Sequence, residues 1–466
     1  MSRGRLVVHA HFYQPSRTDP FSGRIPADPT AAPWHDWTAR VSDECYRPNA
    51  LIGNLRHISW DLGPTLADWM RDGDPVAHEG FVGGDLEING MAQAFHHAIL
   101  PLASAADRRT EIRWGLRDFE LRFGRRATGM WLPETAVDLA TLRLLADHGV
   151  EHTVLAPWQA ASQHVETRRP YRVALGAGRS VVVAFYDGGL SSAVSFEPGA
   201  TADADRFARD RLAPRFAVPL PDDEPPVVVI ATDGELYGHH QAFRELFLRR
   251  LVQPRPDGSA DTFEVSSLAE ALREPPGRPF RTMGIVEGTS WSCHHGVLRW
   301  SGPCPCSRHA TWKAPLRAAL DRLAAGVDTT TERLAGKLPG SPDPWAARDA
   351  YVDVVVGAIE PAAFAGRWLA TAHASADATT LLDLMEAQRR RLAMFASDAW
   401  YWDDPTRPET MTALRAAAWA ARRIDAMAGS SLERRLVGDL ALLSSPGHRI
   451  DGAEIYRRAL TEVGQG

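Results

Sequence analysis

The sequence predicts a parallel α/β barrel followed by an all-helical C-terminal domain. Three observations predict it. Short β-branched runs alternate with amphipathic stretches over residues 1–307, the pattern of βαβ units and a parallel sheet. Beyond that point the chain becomes rich in Ala, Leu and Arg with helical periodicity. Two apolar runs, at 129–134 and 227–233, end abruptly in carboxylates, as strands do at the active end of a barrel. A chain of 466 residues has room for two domains. They are expected as a catalytic barrel over 1–307 and a helical domain over 308–466 that completes the substrate groove.

In order along the chain, strands are expected at 5–12, 181–186 and 227–231, each rich in β-branched or aromatic residues and bounded by turn formers. Helices are expected between them at 110–123 and 137–148, the second followed by Gly149 as a C-cap. The Pro- and Asp-rich stretch 218–226 reads as a surface loop before a strand. Helices then follow at 311–336, 345–372, 379–396, 409–428 and 431–443, with Pro and Gly in their connections.

Composition excludes several classes of function. The net charge of -6 lacks the basic face that a nucleic-acid partner requires. The apolar N-terminal run is interrupted by His9 and His11 and is neither a signal peptide nor a membrane span. A cytoplasmic protein with no membrane partner is therefore expected. Composition leaves the oligomeric state open. Four cysteines in so long a chain do not make a disulfide framework. Cys293, Cys304 and Cys306 cluster, with His294, His295 and His309 nearby. Cys304-Pro-Cys306 lacks the longer spacer of common zinc sites, so a free-thiol loop is expected, with no metal and no other cofactor.

Four segments carry chemistry. The run 227–238 ends in Asp233-Gly234-Glu235, which suits either catalytic carboxylates at a strand end or a helix cap. In Trp131-Leu-Pro-Glu134 an aromatic ring that could stack on a pyranose stands beside an acid. The plainer reading makes Trp131 core and Glu134 a first-turn helix acid. On the first strand His9, His11 and Tyr13 share one face, facing either metal, sugar hydroxyls or buried polar neighbours. The fourth segment holds Glu87, then Gln93, His96 and His97.

Together these segments resemble glycoside hydrolase family 57, retaining enzymes that act on α-glucans. The resemblance implies a (β/α)7-type barrel. Its first motif is matched by His9, His11, Gln14 and Pro15, with the second contact falling on His11 or Tyr13. Its second is matched by Glu87 and by His97 before Ile99-Leu100-Pro101. Its third and fourth imply Glu134 as nucleophile and Asp233 as acid/base, the latter in Asp233-Gly-Glu235-Leu-Tyr-Gly238. Its fifth resembles Ser397-Asp398-Ala-Trp400, with Trp400 or Trp402 as the aromatic contact. The run Ser290 to Trp300, which includes Trp291, resembles one branch of the family.

The resemblance thus implies an α-glucan or maltooligosaccharide substrate bound by His9, His11, Tyr13, Glu87, His97, Trp131, Glu235, Trp291, Asp398 and Trp400 or Trp402. Two rival readings follow from the same residues. In a metal-dependent carbohydrate deacetylase or mannosidase-like hydrolase, His9, His11 and Asp233 would be ligands. A non-catalytic glucan-binding protein would have no need of both acids.

Overall fold

The computed structural model describes residues 4–86, 88–221, 224–253, 263–274, 279–370 and 375–461. The chain packs into two compact units. One takes residues up to Gln14, Asp28–Ala94 and Phe119–Trp291; the other takes Pro15–Ala27, Phe95–Asp118 and Ser292–Gly466. The sequence reading placed its boundary between 307 and 308. The units change over at Trp291/Ser292, and two early segments join the helical unit.

The first unit is built on parallel strands. β1 (Gly4–Phe12), β2 (Ser59–Leu62), β3 (Gly90–Gln93), β4 (Met130–Trp131), β5 (His152–Leu155), β6 (Tyr171–Gly176), β7 (Arg179–Phe185), β8 (Val227–Asp233) and β9 (Phe263–Val265) follow in chain order. The main sheet runs β4-β3-β2-β1-β8, all parallel, with β9 also paired to β1. A smaller sheet runs β5-β7-β6, in which β5 and β7 are parallel and β6 and β7 form an antiparallel hairpin. Two links join these sheets into a ring. A parallel bridge connects Gly129 to His152, and the Asp187 amide donates to the Val229 carbonyl at 2.8 Å. The ring order is therefore β1, β2, β3, β4, β5, β7, β8: seven parallel strands.

Strand alternation assigns each side chain to a layer. On β1, Leu6, Val8, Ala10 and Phe12 pack outward with Val228 and Ile230 of β8 against the helices. Val7 packs inward with Val229, Ala231, Val154 and Ala184. His9, His11 and Asp233 continue these inward-facing series toward the C-terminal strand ends. The ring interior thus changes from aliphatic to polar along the strands.

The second unit is helical after residue 307, except that Ser444–Ser445 and Ile450–Asp451 form a short antiparallel pair where an all-helical domain was expected. Its long helices are Lys313–Ala335, Ser375–Ala393 and Pro408–Ala428, joined by Leu432–Leu440 and Gly452–Thr461. The continuous helix expected at 345–372 is broken into Pro344–Ala350, Val352–Val355 and Pro361–Trp368. Gly357 takes the left-handed conformation (φ 74°) and Pro361 restarts the chain as an N-terminal helix residue. Among the described residues no helix is long and apolar enough to cross a membrane.

Candidate active site

The polar end of the ring is organised by Asp61 at the end of β2. It is fully buried and bonded to both histidines of β1: His9 Nε2 at 2.9 Å and His11 Nδ1 at 2.8 Å. The Gln93 amide, from the end of β3, also donates to it. Register explains the convergence, since His11 lies level with Asp61 on one side and Asp233 on the other. Burial works against a charge on His11, but the Asp61 charge and hydrogen bond, with Asp233 and Glu235 beyond, hold its pKa up at about 9. Burial likewise disfavours the Asp61 carboxylate, yet His11 and His9 outweigh it and hold the group below the usual range. At neutral pH His11 and Asp61 are an ion pair.

Glu134 follows β4 in a tight turn. It and Thr135 are both left-handed, at φ 57° and 49°, a conformation that costs a non-glycine residue about 1–3 kcal/mol. The surrounding bonds impose it. Gln159, fully buried, accepts from the Thr135 hydroxyl at 2.9 Å and donates to the Thr135 carbonyl at 2.8 Å. The Trp291 amide donates to the Glu134 carbonyl at 3.0 Å, and its indole Nε1 donates to Glu134 Oε2 at 3.2 Å. The carboxylate is thus held at both backbone and side chain.

Asp233 ends β8 and keeps solvent access. Enclosure by protein atoms nevertheless pushes its carboxyl above the usual range, against the pull of His11 and His240 and with help from Asp61. Glu235 is buried and accepts from the Tyr46 hydroxyl at 2.5 Å. Burial, then the Asp233 charge, raises its pKa to about 7. Gly234 between them is a requirement of packing, since a Cβ there would lie 2.2 Å from the Phe12 ring.

Three of the expected sugar contacts are buried. His9 is 0% exposed, and its Nε2 bonds Asp61. Trp131 is also 0% exposed, stacked on His9 at 4.8 Å and His11 at 5.0 Å, and forms a floor for the histidines instead of a sugar platform. Trp400, in the second unit, is 1% exposed, stacks on Phe395 and donates from Nε1 to the Lys313 carbonyl. Its neighbour Trp402 is 41% exposed, with Arg407 over its ring at 4.4 Å. Tyr13 is half-buried and stacks beside His11 at 6.3 Å.

The second unit brings together two further expected residues. His97 Nδ1 bonds the Ser397 hydroxyl at 2.7 Å, and the Ser397 amide donates to the His97 carbonyl. Asp398 is half-buried beside them in sequence. Glu87 lies outside the described residues. Sequence reasoning missed Asp61, Tyr46 and Gln159. An acid inside the otherwise apolar Trp60-Asp61-Leu62 was the one available signal.

Residues 83–283 match the family model described as Glycosyl hydrolase family 57, and residues 309–463 match one described as Domain of unknown function (DUF3536). No curated protein matches the sequence. Among solved structures, the chain is similar to an exo-type maltose-forming amylase from Pyrococcus sp. ST04, with TM-score 0.73 and 14% identity, covering 98% of this chain and 88% of that one. It is also similar to a family 57 branching enzyme from Thermococcus kodakaraensis, with TM-score 0.61, 15% identity and coverage of 99% and 94%. A 4-alpha-glucanotransferase from Thermococcus litoralis gives TM-score 0.55 and 16% identity, over 89% of this chain and 60% of that one. These likenesses concern the fold.

Proposed function

We propose that this chain, which matches the model of glycosyl hydrolase family 57 over residues 83–283, is a retaining hydrolase or glucanotransferase acting on α-glucans. Glu134 is the nucleophile and Asp233 the general acid/base. The observation that carries this reading is the position of both carboxyls at C-terminal strand ends of one ring, after β4 and at the end of β8. The two differ as the chemistry needs. Glu134 is locked in place by Trp291, whereas Asp233 meets solvent and has a raised pKa.

In the first step a Glu134 oxygen bonds to the anomeric carbon as the glycosidic bond breaks, and Asp233 gives its proton to the departing oxygen. In the second, Asp233 takes a proton from water or a sugar hydroxyl, whose oxygen displaces Glu134. Water as acceptor gives hydrolysis; a sugar gives transfer. The His11–Asp61 ion pair places a fixed positive charge near Asp233. Within the first unit, His11, Tyr13, Glu235 and Trp291 are the residues we assign to substrate. A cytoplasmic setting, where thiols stay reduced, suits the buried thiols of Cys45, Cys293 and Cys304.

The test is incubation with maltooligosaccharides and amylose, with product length, linkage and anomeric configuration followed by NMR. Retained configuration at the new or free end is expected. Inverted product, or no turnover of any α-glucan alongside activity on an acetylated sugar, overturns the proposal.

A further inference from the structure

The segment between Trp291 and the first long helix of the second unit carries almost no regular structure. Its one element is the short 3-10 turn Leu298–Trp300. Yet Cys293 and Cys304 within it are buried, at 2% and 1% exposure. Their sulfurs meet two further ligand-bearing side chains. Cys293 Sγ lies 3.4 Å from Cys304 Sγ and 3.3 Å from Cys306 Sγ. His295 Nδ1 lies 3.0 Å from Cys306 Sγ, 3.6 Å from Cys304 Sγ and 3.9 Å from Cys293 Sγ. All four donor atoms fall within 4.8 Å of one another.

We propose that Cys293, His295, Cys304 and Cys306 bind a structural zinc ion. With Zn–S of about 2.3 Å and Zn–N of about 2.0 Å, a tetrahedral Cys3His site has edges of about 3.5–3.8 Å. The observed separations bracket that range. A disulfide would need one sulfur pair at about 2.05 Å and would leave the third sulfur and the imidazole without a reason to converge. Thiols gain little from touching each other, whereas a divalent cation draws three thiolates and an imidazole together. Four protein donors leave no open position, which is the arrangement of a structural site and not of a catalytic one.

Local features support the cage. Gly296 takes φ 73°, which turns the chain immediately after His295. Three thiolates, a neutral imidazole and a divalent ion sum to a single negative charge. Arg299 faces Cys293 and Cys306 with its positive charge, and Lys313 faces Cys304 and Cys293. His295 and Cys306 are exposed, so the ion has a route from solvent. The ligands come as two pairs, 293/295 and 304/306, each with a single residue between. That tight spacing is why the sequence argued against metal. The fold supplies the missing separation by looping the chain back through Leu298–Trp300. This site contains neither Glu134 nor Asp233, and it stands whatever the substrate proves to be.

The test uses the full chain, purified without affinity metals and dialysed against metal-free buffer. Elemental analysis should find one zinc per chain, and cobalt(II) exchanged into the site should show ligand-field bands of a tetrahedral thiolate complex. The thiols of the folded protein should resist a thiol reagent until a chelator removes the ion. Chelation should also lower Tm. Cys304→Ser and Cys306→Ser should each lose the zinc. Should these variants fail to fold, release of zinc from the parent by a mercurial reagent, counted against three modified cysteines, serves in their place. Folded parent free of zinc, with thiols that react at once and no cobalt spectrum, overturns the proposal. So does a disulfide among these cysteines in unreduced protein, or zinc retained by a Cys304→Ser/Cys306→Ser double variant.

Discussion

Both units bury a set of ionisable side chains, and the two sets are balanced differently. In the helical unit Asp107 accepts from Arg348 at 2.9 Å and pairs with Arg391 at 2.5 Å; Arg391 also pairs with Asp328 at 2.7 Å. Gln388 accepts from Arg348 and donates to Asp328, and Arg348 reaches the Thr110 hydroxyl. Burial disfavours the Asp107 charge, but Arg391 and Arg348 outweigh it and keep the carboxyl ionised. Charges alternate in sign and each meets its opposite. In the barrel unit the His11 cation is matched by Asp61, which leaves Asp233 and Glu235 as surplus acids, both raised. A balanced set holds its protons fixed and acts as scaffold. A surplus of acids with raised pKa keeps a proton available near neutral pH, which is what acid/base chemistry uses.

Glu134→Gln should lower kcat by about 10⁴-fold or more while leaving Tm nearly unchanged, since Gln keeps the shape and the Trp291 contact. Azide should restore part of the turnover of Glu134→Ala, releasing a glycosyl azide of inverted configuration. Near-parental kcat in Glu134→Gln would remove the barrel set from catalysis altogether.

The scaffold set should fail in the opposite sense. Arg348→Met leaves Asp107 buried with one partner fewer, and should cost about 3–5 kcal/mol of stability. The pH profile of kcat should stay in place; a displaced profile would mean that the helical network also sets protonation in the reaction. Trp400→Ala belongs to the same class, since it empties a core position, at about 3–5 kcal/mol. Trp402→Ala should cost no more than about 0.5 kcal/mol and act instead on KM or acceptor length. Stability curves and KM measured on the same preparations separate the two tryptophans.

Much of the barrel was legible because its longest strands carry a long enough pattern. β1 shows His9 and His11 on one face, and β8 is an apolar run that stops at Asp233. β2, β3 and β4 have four, four and two residues, too few to display a period, so Asp61 and Gln93 gave no strand signal. Gln159 holds the Glu134 turn from the 3-10 turn Pro157–Gln159, 25 residues downstream of it, a relation only the fold creates. Adjacent aromatics at 400–402 declare that something is packed, but not which ring faces inward. Segments 15–27 and 95–118 look no different from their neighbours in sequence, yet belong to the other unit. The four ligands at 293–306 were visible as residue types; their convergence was not.

The surplus proton itself can be weighed at Glu235. Its pKa moves from 4.5 to about 7 on folding, so the folded state keeps a proton that the unfolded chain has released between those values. Stability from this group is therefore full below about pH 4.5 and falls as pH rises to about 7, by about 3 kcal/mol. His152 runs the other way, because burial lowers its pKa to about 4 and stabilises the fold as pH rises toward 6.5. His11, raised to about 9, loses its contribution only between 6.5 and 9. The parent's own pH–stability curve is thus a sum of opposed contributions, and Glu235→Gln isolates one of them. Gln keeps an oxygen to accept from Tyr46 but cannot ionise. The Tm of Glu235→Gln minus that of the parent should rise steadily from pH 4.5 to 7 and stay level above it. A difference that is flat across this range would mean that Glu235 ionises normally, and that Asp233 is the one raised acid in the site.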